Sequence, residues 1–138
     1  MSERNKQLVR RFYEEVENGH RLEVVDELFA PDFRDTYNTA SPFPVAGIDG
    51  VKKLAVGLHE ALDISIEIRD LIAEGDHVVA RIACGITNKM PFLGKAPSGR
   101  RFTVQGVEIF RVANGKLAER EVFIDMMPMM LELGIVAK

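Results

Sequence analysis

Apolar side chains recur every three to four positions in the first part of the chain, which is the spacing of an amphipathic helix. This spacing predicts a first helix over residues 3–18, with charged residues on the face opposite the apolar one. Residues 22–30 predict a second, shorter helix that ends before Pro31, because proline cannot continue a helix. The spacing returns over residues 50–62 and predicts a third helix.

The segment between the second and third predicted helices has a different composition. Residues 31–50 are rich in Pro, Gly, Ser, Thr and Asp, which favour turns and irregular backbone. We therefore expect a long irregular loop here, which can include a short strand over residues 32–37.

From residue 63 onward the pattern changes from helical spacing to alternation. Ile64, Ile66 and Ile68 alternate with polar residues, as in a strand with one buried face. Four strands are predicted, over residues 63–72, 78–87, 101–112 and 116–125, followed by a final helical turn within residues 127–136. Helices followed by antiparallel strands are typical of an α+β domain, in which the helices pack on one face of a curved sheet and enclose a pocket.

Length and composition narrow the class of protein. The chain has 138 residues, of which 46% are hydrophobic and 28% charged, as expected of one globular domain over residues 1–138. The net charge of −3 and the scattered basic residues argue against nucleic acid as a partner. The sequence has neither an apolar run long enough to cross a membrane nor the apolar core of a secretory signal, so we expect a cytoplasmic protein.

Cysteine and histidine give no sign of a metal site. The single cysteine, Cys84, lies in a predicted strand, and we interpret it as a buried apolar side chain. The three histidines have no spacing typical of metal ligands. We therefore predict neither a metal nor another cofactor.

The last predicted strand divides its side chains between two faces. Alternation assigns Arg120, Val122 and Ile124 to one face, and Glu119, Glu121, Phe123 and Asp125 to the other. In one interpretation the acidic face is solvated and the apolar face meets the helices. In the other, Phe123 and Asp125 reach the pocket, and Glu119 and Glu121 lie near its rim.

Asp125 itself has two interpretations. It can be the N-cap of the final helical turn, since Asp is a preferred capping residue and Pro128 suits the first turn of a helix. It can also be a carboxylate whose pKa is raised by the Phe, Ile and Met side chains around it. Such a group can act as a general acid or base near neutral pH. The pattern leaves both interpretations open.

Motifs along most of the chain resemble those of the SnoaL-like polyketide cyclases, a group within the NTF2-like superfamily. Near the C-terminus, NGKLAE and LELG match the family pattern, whose final aspartate falls on Asp125. Upstream, MPFLGKAPSGRRF matches the Gly- and Pro-rich loop of the family. The matching positions are Phe92, Gly94, Pro97, Gly99, Arg100, Gly115, Lys116, Glu119, Asp125, Leu133 and Gly134. The resemblance extends from about Leu8 to Gly134.

The resemblance implies an NTF2-like, cone-shaped α+β barrel, in which N-terminal helices pack on a curved, mostly antiparallel sheet around a deep pocket. It also implies a small hydrophobic molecule as ligand and a homodimer, here through the exposed face of the sheet. Cyclases of this family use no cofactor and close a polyketide ring by intramolecular aldol condensation. An acidic residue accepts a proton from carbon, and the family pattern gives this catalytic role to Asp125.

Other positions of the family pattern suggest polar contacts to a substrate. Thr36 and Asn88 stand where many family members have histidine, and Glu121 stands where they have tryptophan. The predicted substrate contacts are Tyr13, Thr36, Asn88, Gln105, Glu121 and Phe123.

Related families with this fold offer alternatives. An epoxide-hydrolase-like reaction would use Arg81 and Asp125, but the second acid expected two residues after the arginine is Ala83. A hydroxylation-assisting protein or an isomerase similar to ketosteroid isomerase would involve Tyr13 and Asp35. A non-catalytic module for ligand binding or dimerisation is favoured by the loss of the two histidines and the tryptophan. Burial separates the main alternatives, because a catalytic Asp125 requires a carboxyl oxygen inside a cavity and a capping Asp125 requires hydrogen bonds to the following amides.

Overall fold

Helices at the N-terminus pack on one face of a five-stranded sheet in the computed structural model, which describes residues 2–41 and 44–137. The helices are α1 (Ser2–Arg11), a π-helix that continues it (Phe12–Glu17), α2 (Val24–Leu28), α3 (Gly47–Ala61) and α4 (Met127–Glu132). The strands are β1 (Phe29–Asn38), β2 (Leu62–Glu74), β3 (His77–Asn88), β4 (Arg101–Ala113) and β5 (Lys116–Asp125). Within the described ranges, no helix combines the length and the apolar character needed to span a bilayer.

The sheet is mixed and open. Its strand order is β1-β5-β4-β3-β2, and all neighbouring strands are antiparallel except β1 and β5, which run parallel. The predicted NTF2-like architecture, with N-terminal helices on a mostly antiparallel sheet, is confirmed. In the described part of the chain β1 and β2 lie at the two edges, so the sheet does not close into a complete barrel.

Aromatic rings fill the space between the helices and the sheet. Phe12 and Tyr13 come from the π-helix, Phe29 and Phe33 from β1, and Phe110 from β4, and all five are inaccessible to solvent or nearly so. The Phe12 ring lies 5.2 Å from that of Phe29 and 6.1 Å from that of Phe110, between centroids, in edge-to-face arrangements. Burial of each such ring stabilises the fold by about 1.5–3 kcal/mol.

The first strand is longer than the sequence predicts. Strand β1 begins at Phe29 in place of an irregular loop, and the predicted second helix ends two residues early, at Leu28. The reason is tertiary, because Phe29 and Phe33 are buried in the core and β1 pairs with the distant strand β5. Pro31 is tolerated because β1 is an edge strand and its register with β5 shifts there.

The first helix widens into a π-helix at its C-terminal end. The amide of Asn18 donates to the carbonyl of Tyr13, five residues earlier, over 2.9 Å. Charged residues were expected on the solvent face of this helix, and for Glu17 that expectation is wrong. Its side chain is buried and faces a cavity between the helices and the sheet.

Candidate functional site

A cavity of about 460 Å³ lies between the helices and the inner face of the sheet. A cavity of this size holds a small organic molecule. Most of the wall is apolar, and its aliphatic and thioether side chains include Ile64, Ile66, Ile86, Val104, Met126 and Met129. The polar side chains in the wall are Glu17, Asn38, Thr39, Asn88, Glu108 and Arg120.

A buried arginine with acidic partners forms one end of the cavity. Arg120 of β5 donates from Nε and Nη2 to the two carboxylate oxygens of Asp35, both over 2.8 Å. Its Nη1 lies 3.4 Å from Oε1 of Glu108 on β4. The guanidinium carbon also stands 5.6 Å from the ring centroid of Phe12 and 5.9 Å from that of Phe33. Ion pairs and aromatic faces together therefore fix the guanidinium.

Glu17, the last residue of the π-helix, brings another carboxyl group to this end. Nε2 of His59 lies 2.8 Å from the carbonyl oxygen of Glu17, and the Asn18 side chain exchanges two hydrogen bonds with the backbone of Ile66 on β2. The Glu17 side chain is buried, with 6% of its surface exposed, and lines the cavity. Its Oε2 atom has no hydrogen-bond partner among the described residues. An unpaired carboxyl oxygen beside an apolar cavity is a place where a ligand can exchange a proton.

Burial favours the protonated form of the two glutamates. Burial raises the pKa of Glu17 to about 7, and the charge of Glu108 adds to this rise while that of Arg120 opposes it. Burial also raises the pKa of Glu108, against the opposing charge of Arg120. Burial lowers the pKa of Arg120, but the charges of Glu108 and Asp35 outweigh it and the pKa rises, so the guanidinium stays charged. Near neutral pH, Glu17 is thus divided between its acid and its conjugate base.

These carboxyl groups do not make a metal site with one another. Within residues 2–41 and 44–137, no group of three or more His, Cys, Asp or Glu side chains is arranged to hold a metal ion.

Tyr13, a predicted substrate contact, lies in the core next to this cluster. It is fully buried, and its hydroxyl oxygen has no hydrogen-bond partner of good geometry in the described part of the chain. Burial raises its pKa well above that of free tyrosine, and the charge of Glu108 raises it further. Tyr13 is not among the described residues that line the cavity, so its contact with a substrate stays a prediction.

Asn88, also a predicted substrate contact, lies in the cavity wall at the end of β3. Its Oδ1 atom is buried without a hydrogen-bond partner among the described residues. Cys84 lines the same cavity four residues earlier on β3. Burial raises the pKa of its thiol to about 12, so the group stays neutral, which agrees with its interpretation as a small apolar side chain.

Asp125 lies outside this cavity. Its side chain is exposed at the end of β5, and its Oδ1 accepts a hydrogen bond from the amide of Met127 over 3.2 Å. The N-cap of α4 is Met126, so Asp125 precedes the cap by one residue and forms an Asx-type turn. The bond to the amide of Met127 is the one that the structural interpretation of Asp125 requires.

Two further predicted contacts lie with Asp125 on the outer face of the sheet, which points away from the helices. Gln105 and Phe123 are exposed there and line a shallow groove together with Asp125 and Arg81. Arg81 pairs with Asp70, its Nε 2.6 Å from Oδ2, and both side chains are about half exposed. The structure therefore brings Gln105, Phe123 and Asp125 together, but on the face opposite the cavity.

Thr36 and Glu121 also point away from the cavity. Thr36 is exposed on β1, with its hydroxyl 3.5 Å from the carbonyl oxygen of Arg120. Glu121 is half-buried and alternates with Val122, which lines the cavity. The predicted alternation on β5 is thus observed, with Arg120 and Val122 facing inward and the carboxylates facing outward.

The pattern of residues along the chain does not identify Glu17, Glu108 and Arg120 as members of one site. The position of Arg120 does indicate a buried ion pair, because Arg120 shares a face of β5 with apolar residues. A guanidinium buried among such residues needs carboxylate partners. A signal also exists for Glu17, which follows Tyr13 by four residues and so shares its helix face. The contact between residues so far apart in the chain is not visible before the fold is known.

Comparison with known proteins supports the family that the motifs suggest. A family model of SnoaL-like polyketide cyclases matches residues 7–133. No functionally curated protein shows significant sequence similarity to the chain.

Solved structures with similar folds cover nearly the whole chain. A proposed SnoaL-like polyketide cyclase from Jannaschia sp. CCS1 is 25% identical, with 99% of this chain and 95% of that chain aligned at a TM-score of 0.83. TsrD from Streptomyces laurentii is 28% identical over 99% of this chain and 98% of its own, at a TM-score of 0.82. A proposed polyketide cyclase from Acidithiobacillus ferrooxidans shares the fold at a TM-score of 0.86 and 22% identity, over 97% of this chain and 96% of that chain. By sequence and by fold, the chain belongs to the SnoaL-like polyketide cyclase family.

Proposed function

We propose that this protein catalyses proton transfer, without a cofactor, at a carbon next to a carbonyl group of a hydrophobic substrate. The reaction would be an intramolecular aldol cyclisation or a related lyase or isomerase reaction. The observation that carries the proposal is Glu17, whose buried carboxyl group has an oxygen without a partner among the described residues, in the wall of an apolar cavity. Membership of a family of polyketide cyclases supports the type of reaction.

Glu17 is the proton carrier in this scheme. Its carboxylate accepts a proton from the carbon next to the carbonyl, and the electrons of the broken C–H bond form an enolate. In a cyclisation, the enolate carbon forms a C–C bond to a second carbonyl carbon of the same molecule, and the proton on Glu17 passes to the resulting alkoxide. A pKa of about 7 suits both steps, because the acid and base forms coexist at neutral pH.

Glu108 is the second participant. Glu108 lines the same cavity, and burial raises the pKa of its carboxyl group. When this group holds a proton, it can donate a hydrogen bond to the enolate oxygen. Arg120 holds Glu108 from one side and is itself paired with Asp35. The apolar walls support this chemistry, because electrostatic interactions are stronger where water is excluded.

Asp125 takes no part in this scheme. The family pattern predicts it as the acid or base, but it is exposed on the other face of the sheet from Glu17. We therefore assign proton transfer to Glu17.

Deuterium exchange tests the proposal without knowledge of the natural substrate. The probe is 2-acetylnaphthalene, a flat, apolar methyl ketone whose methyl proton signal disappears in D₂O as the enolate forms. We expect the wild-type protein to accelerate this exchange and Glu17→Gln to reduce the rate by about 100-fold or more. The matched control Asp125→Asn, which also replaces one carboxylate by an amide, should keep a rate close to that of the wild type. Full activity of Glu17→Gln, or an equal loss in Asp125→Asn, would contradict the assignment.

A non-catalytic ligand-binding module is the second candidate, and one observation favours it. Each nitrogen of the Arg120 guanidinium is already hydrogen-bonded to Asp35 or Glu108, which leaves few donors for an enolate oxygen. In this case the wild-type protein would bind the ketone but leave its rate of exchange unchanged.

We also propose that two copies associate through the outer face of the sheet. Val79, Val107 and Ile109 lie on that face by alternation, and each is only half-buried within one chain. The side chains of Phe123 and Tyr37 are 39% and 54% exposed, and their ring centroids lie 5.1 Å apart. Face-to-face packing of two sheets would cover this apolar surface.

A further inference from the structure

Several polar side chains in the cavity wall are already paired within the protein. Asn38 donates from Nδ2 to Asp35 and accepts from the amide of Ala40, both over 2.8 Å. The hydroxyl of Thr39 accepts from the amide of Ile124 over 2.8 Å. Both side chains are therefore at least partly satisfied within the protein.

Two other wall residues keep buried oxygens without partners. Oε2 of Glu17 and Oδ1 of Asn88 have no hydrogen bond within the described part of the chain. Unpaired buried polar atoms are unfavourable and uncommon, so their occurrence in one cavity indicates two points at which a ligand completes the hydrogen bonding.

An apolar stretch separates these two points. Glu17 lies near the level of Cys84, because the neighbouring Asn18 is bonded to Ile66 and Ile66 pairs with Cys84. Asn88 follows Cys84 by four residues on β3, which is about 13 Å at the rise of a strand. Between Cys84 and Asn88 on this strand, the side chain that lines the cavity is the apolar Ile86.

The Glu17 end of the cavity disfavours anions. Among the described residues that line the cavity, the cationic side chain is Arg120, and each of its nitrogens already donates to Asp35 or Glu108. Glu17 and Glu108 are either neutral or negative, so a ligand carboxylate would be desolvated there without a free positive partner.

We propose that Asn88 is a specificity-determining residue and that the ligand is an uncharged molecule with a carbonyl group near Glu17, an apolar body and a hydroxyl group bonded to Asn88. The inference rests on the function proposed for Glu17 and adds the chemical class of the substrate. A ligand hydroxyl group can donate to the amide oxygen of Asn88 or accept from its amide nitrogen. It can therefore bind whichever way the amide is turned.

Three naphthalene probes test this ligand class in binding experiments. 6-Hydroxy-2-acetylnaphthalene carries the ketone and the hydroxyl at opposite ends, 2-acetylnaphthalene lacks the hydroxyl, and 6-hydroxy-2-naphthoate replaces the ketone by a carboxylate. The protein contains no tryptophan, so the naphthalene fluorescence can be followed directly. Titrations with the wild-type protein, Asn88→Ala and Gln105→Ala are compared at about pH 6, where a carboxylate is ionised. Gln105→Ala is the matched control, because it removes an exposed amide from the outer face.

We expect the hydroxy ketone to bind the wild-type protein about fivefold more tightly than the ketone without the hydroxyl, the size of one net hydrogen bond. This difference should vanish in Asn88→Ala and persist in Gln105→Ala. The naphthoate should bind at least about tenfold more weakly than the hydroxy ketone.

Equal binding of the two ketones to the wild-type protein, tight binding of the naphthoate, or absence of binding by all three probes would overturn the inference. A hydroxyl preference that survives in Asn88→Ala would also overturn it. The wild-type comparison stands even if Asn88→Ala does not fold. Because these measurements report binding and the deuterium exchange reports chemistry, either proposal can fail without the other.

Discussion

Arg120, Asp35 and Glu108 form an ion-pair cluster that is costly to bury and costly to break. Removing ions from water costs several kcal/mol each, and pairing recovers this only when the geometry is good. The double contact between Arg120 and Asp35, with both distances 2.8 Å, meets that condition. Glu17 is not bonded to the guanidinium, so a proton is the simplest way to neutralise it.

The raised pKa of Glu17 makes the stability of the fold depend on pH. The pKa rises from 4.5 to about 7 on folding, so between these values the native state holds a proton that the unfolded chain has lost. The contribution of Glu17 to stability is therefore greatest below about pH 4.5 and is lost as the pH rises to about 7. Each pH unit in this window is worth about 1.4 kcal/mol, which gives a total of about 3 kcal/mol. Glu17→Gln removes the titrating group. Between pH 4.5 and pH 8, the unfolding free energy of this variant relative to the wild type should therefore rise by about 3 kcal/mol, as measured by urea unfolding.

The matched control for this measurement is Asp125→Asn, in which an exposed carboxyl group becomes an amide. If Asp125→Asn does not show the same pH-dependent rise in unfolding free energy, the rise is specific to the buried carboxyl group. A difference between Glu17→Gln and the wild type that stays constant with pH would contradict the account.

At the scale of elements, strands β4 and β5 approach each other closely at one glycine, Gly106. Gly106 pairs with Ile82 and Ile124 in unbroken register. A Cβ atom at this position would lie 2.8 Å from the carbonyl oxygen of Phe123 and would overlap the Ile124 side chain. The glycine is required by this approach of the neighbouring strand.

We predict that Gly106→Ala destabilises the protein by about 1–3 kcal/mol, the usual cost of overpacking. The change would be measured by urea unfolding. The matched control is Gly57→Ala on the exposed side of α3, where a Cβ atom meets nothing within 4 Å. This variant should gain about 1 kcal/mol, because alanine is the better helix former. A Gly106→Ala protein as stable as the wild type would refute the packing argument.

The elements that the sequence predicts well are those with a local pattern. Ile64, Ile66 and Ile68 alternate over strand β2, and the observed strand shows the same alternation of burial. Within the segment of β1 the sequence suggests only a short strand over residues 32–37, because the full strand depends on pairing with β5, more than eighty positions later. The π-helix was missed for a similar reason, since its end is held by the bonds of Asn18 to the distant Ile66.

The same distinction applies to the candidate site. The family pattern points to Asn88. Alternation assigns Arg120 to the same face as Val122 and Ile124, but it leaves open which face of the strand is the inner one. Glu17 could not be identified with confidence from composition, because glutamate on a helix is almost always solvated. Its burial depends on the cavity that the strands enclose, which is a property of the assembled fold.

At the scale of the whole molecule, the two faces of the sheet have different roles. The inner face meets the helices and the cavity, and the outer face carries exposed Phe123 and Tyr37. The neighbouring exposed rings of Phe123 and Tyr37 are the basis of the proposed contact between two copies.

Sedimentation of the purified protein should therefore show a dimer that Phe123→Asp converts to monomers, because the substitution places a charge in the proposed interface. Val56→Asp provides the matched control, since Val56 is 40% exposed on α3, away from that face. A wild-type monomer, or a dimer that Phe123→Asp does not weaken, would contradict the proposed interface.

The central claim is that Glu17 holds a titratable proton inside the cavity near neutral pH. The most direct measurement is a carbon-detected NMR titration of the Glu17 carboxyl group, with Glu17→Gln used to assign its signal. The account predicts a pKa of about 7. A pKa close to the ordinary value of 4.5 would show that the carboxyl is solvated or paired, and it would contradict the role of Glu17 as acid and base.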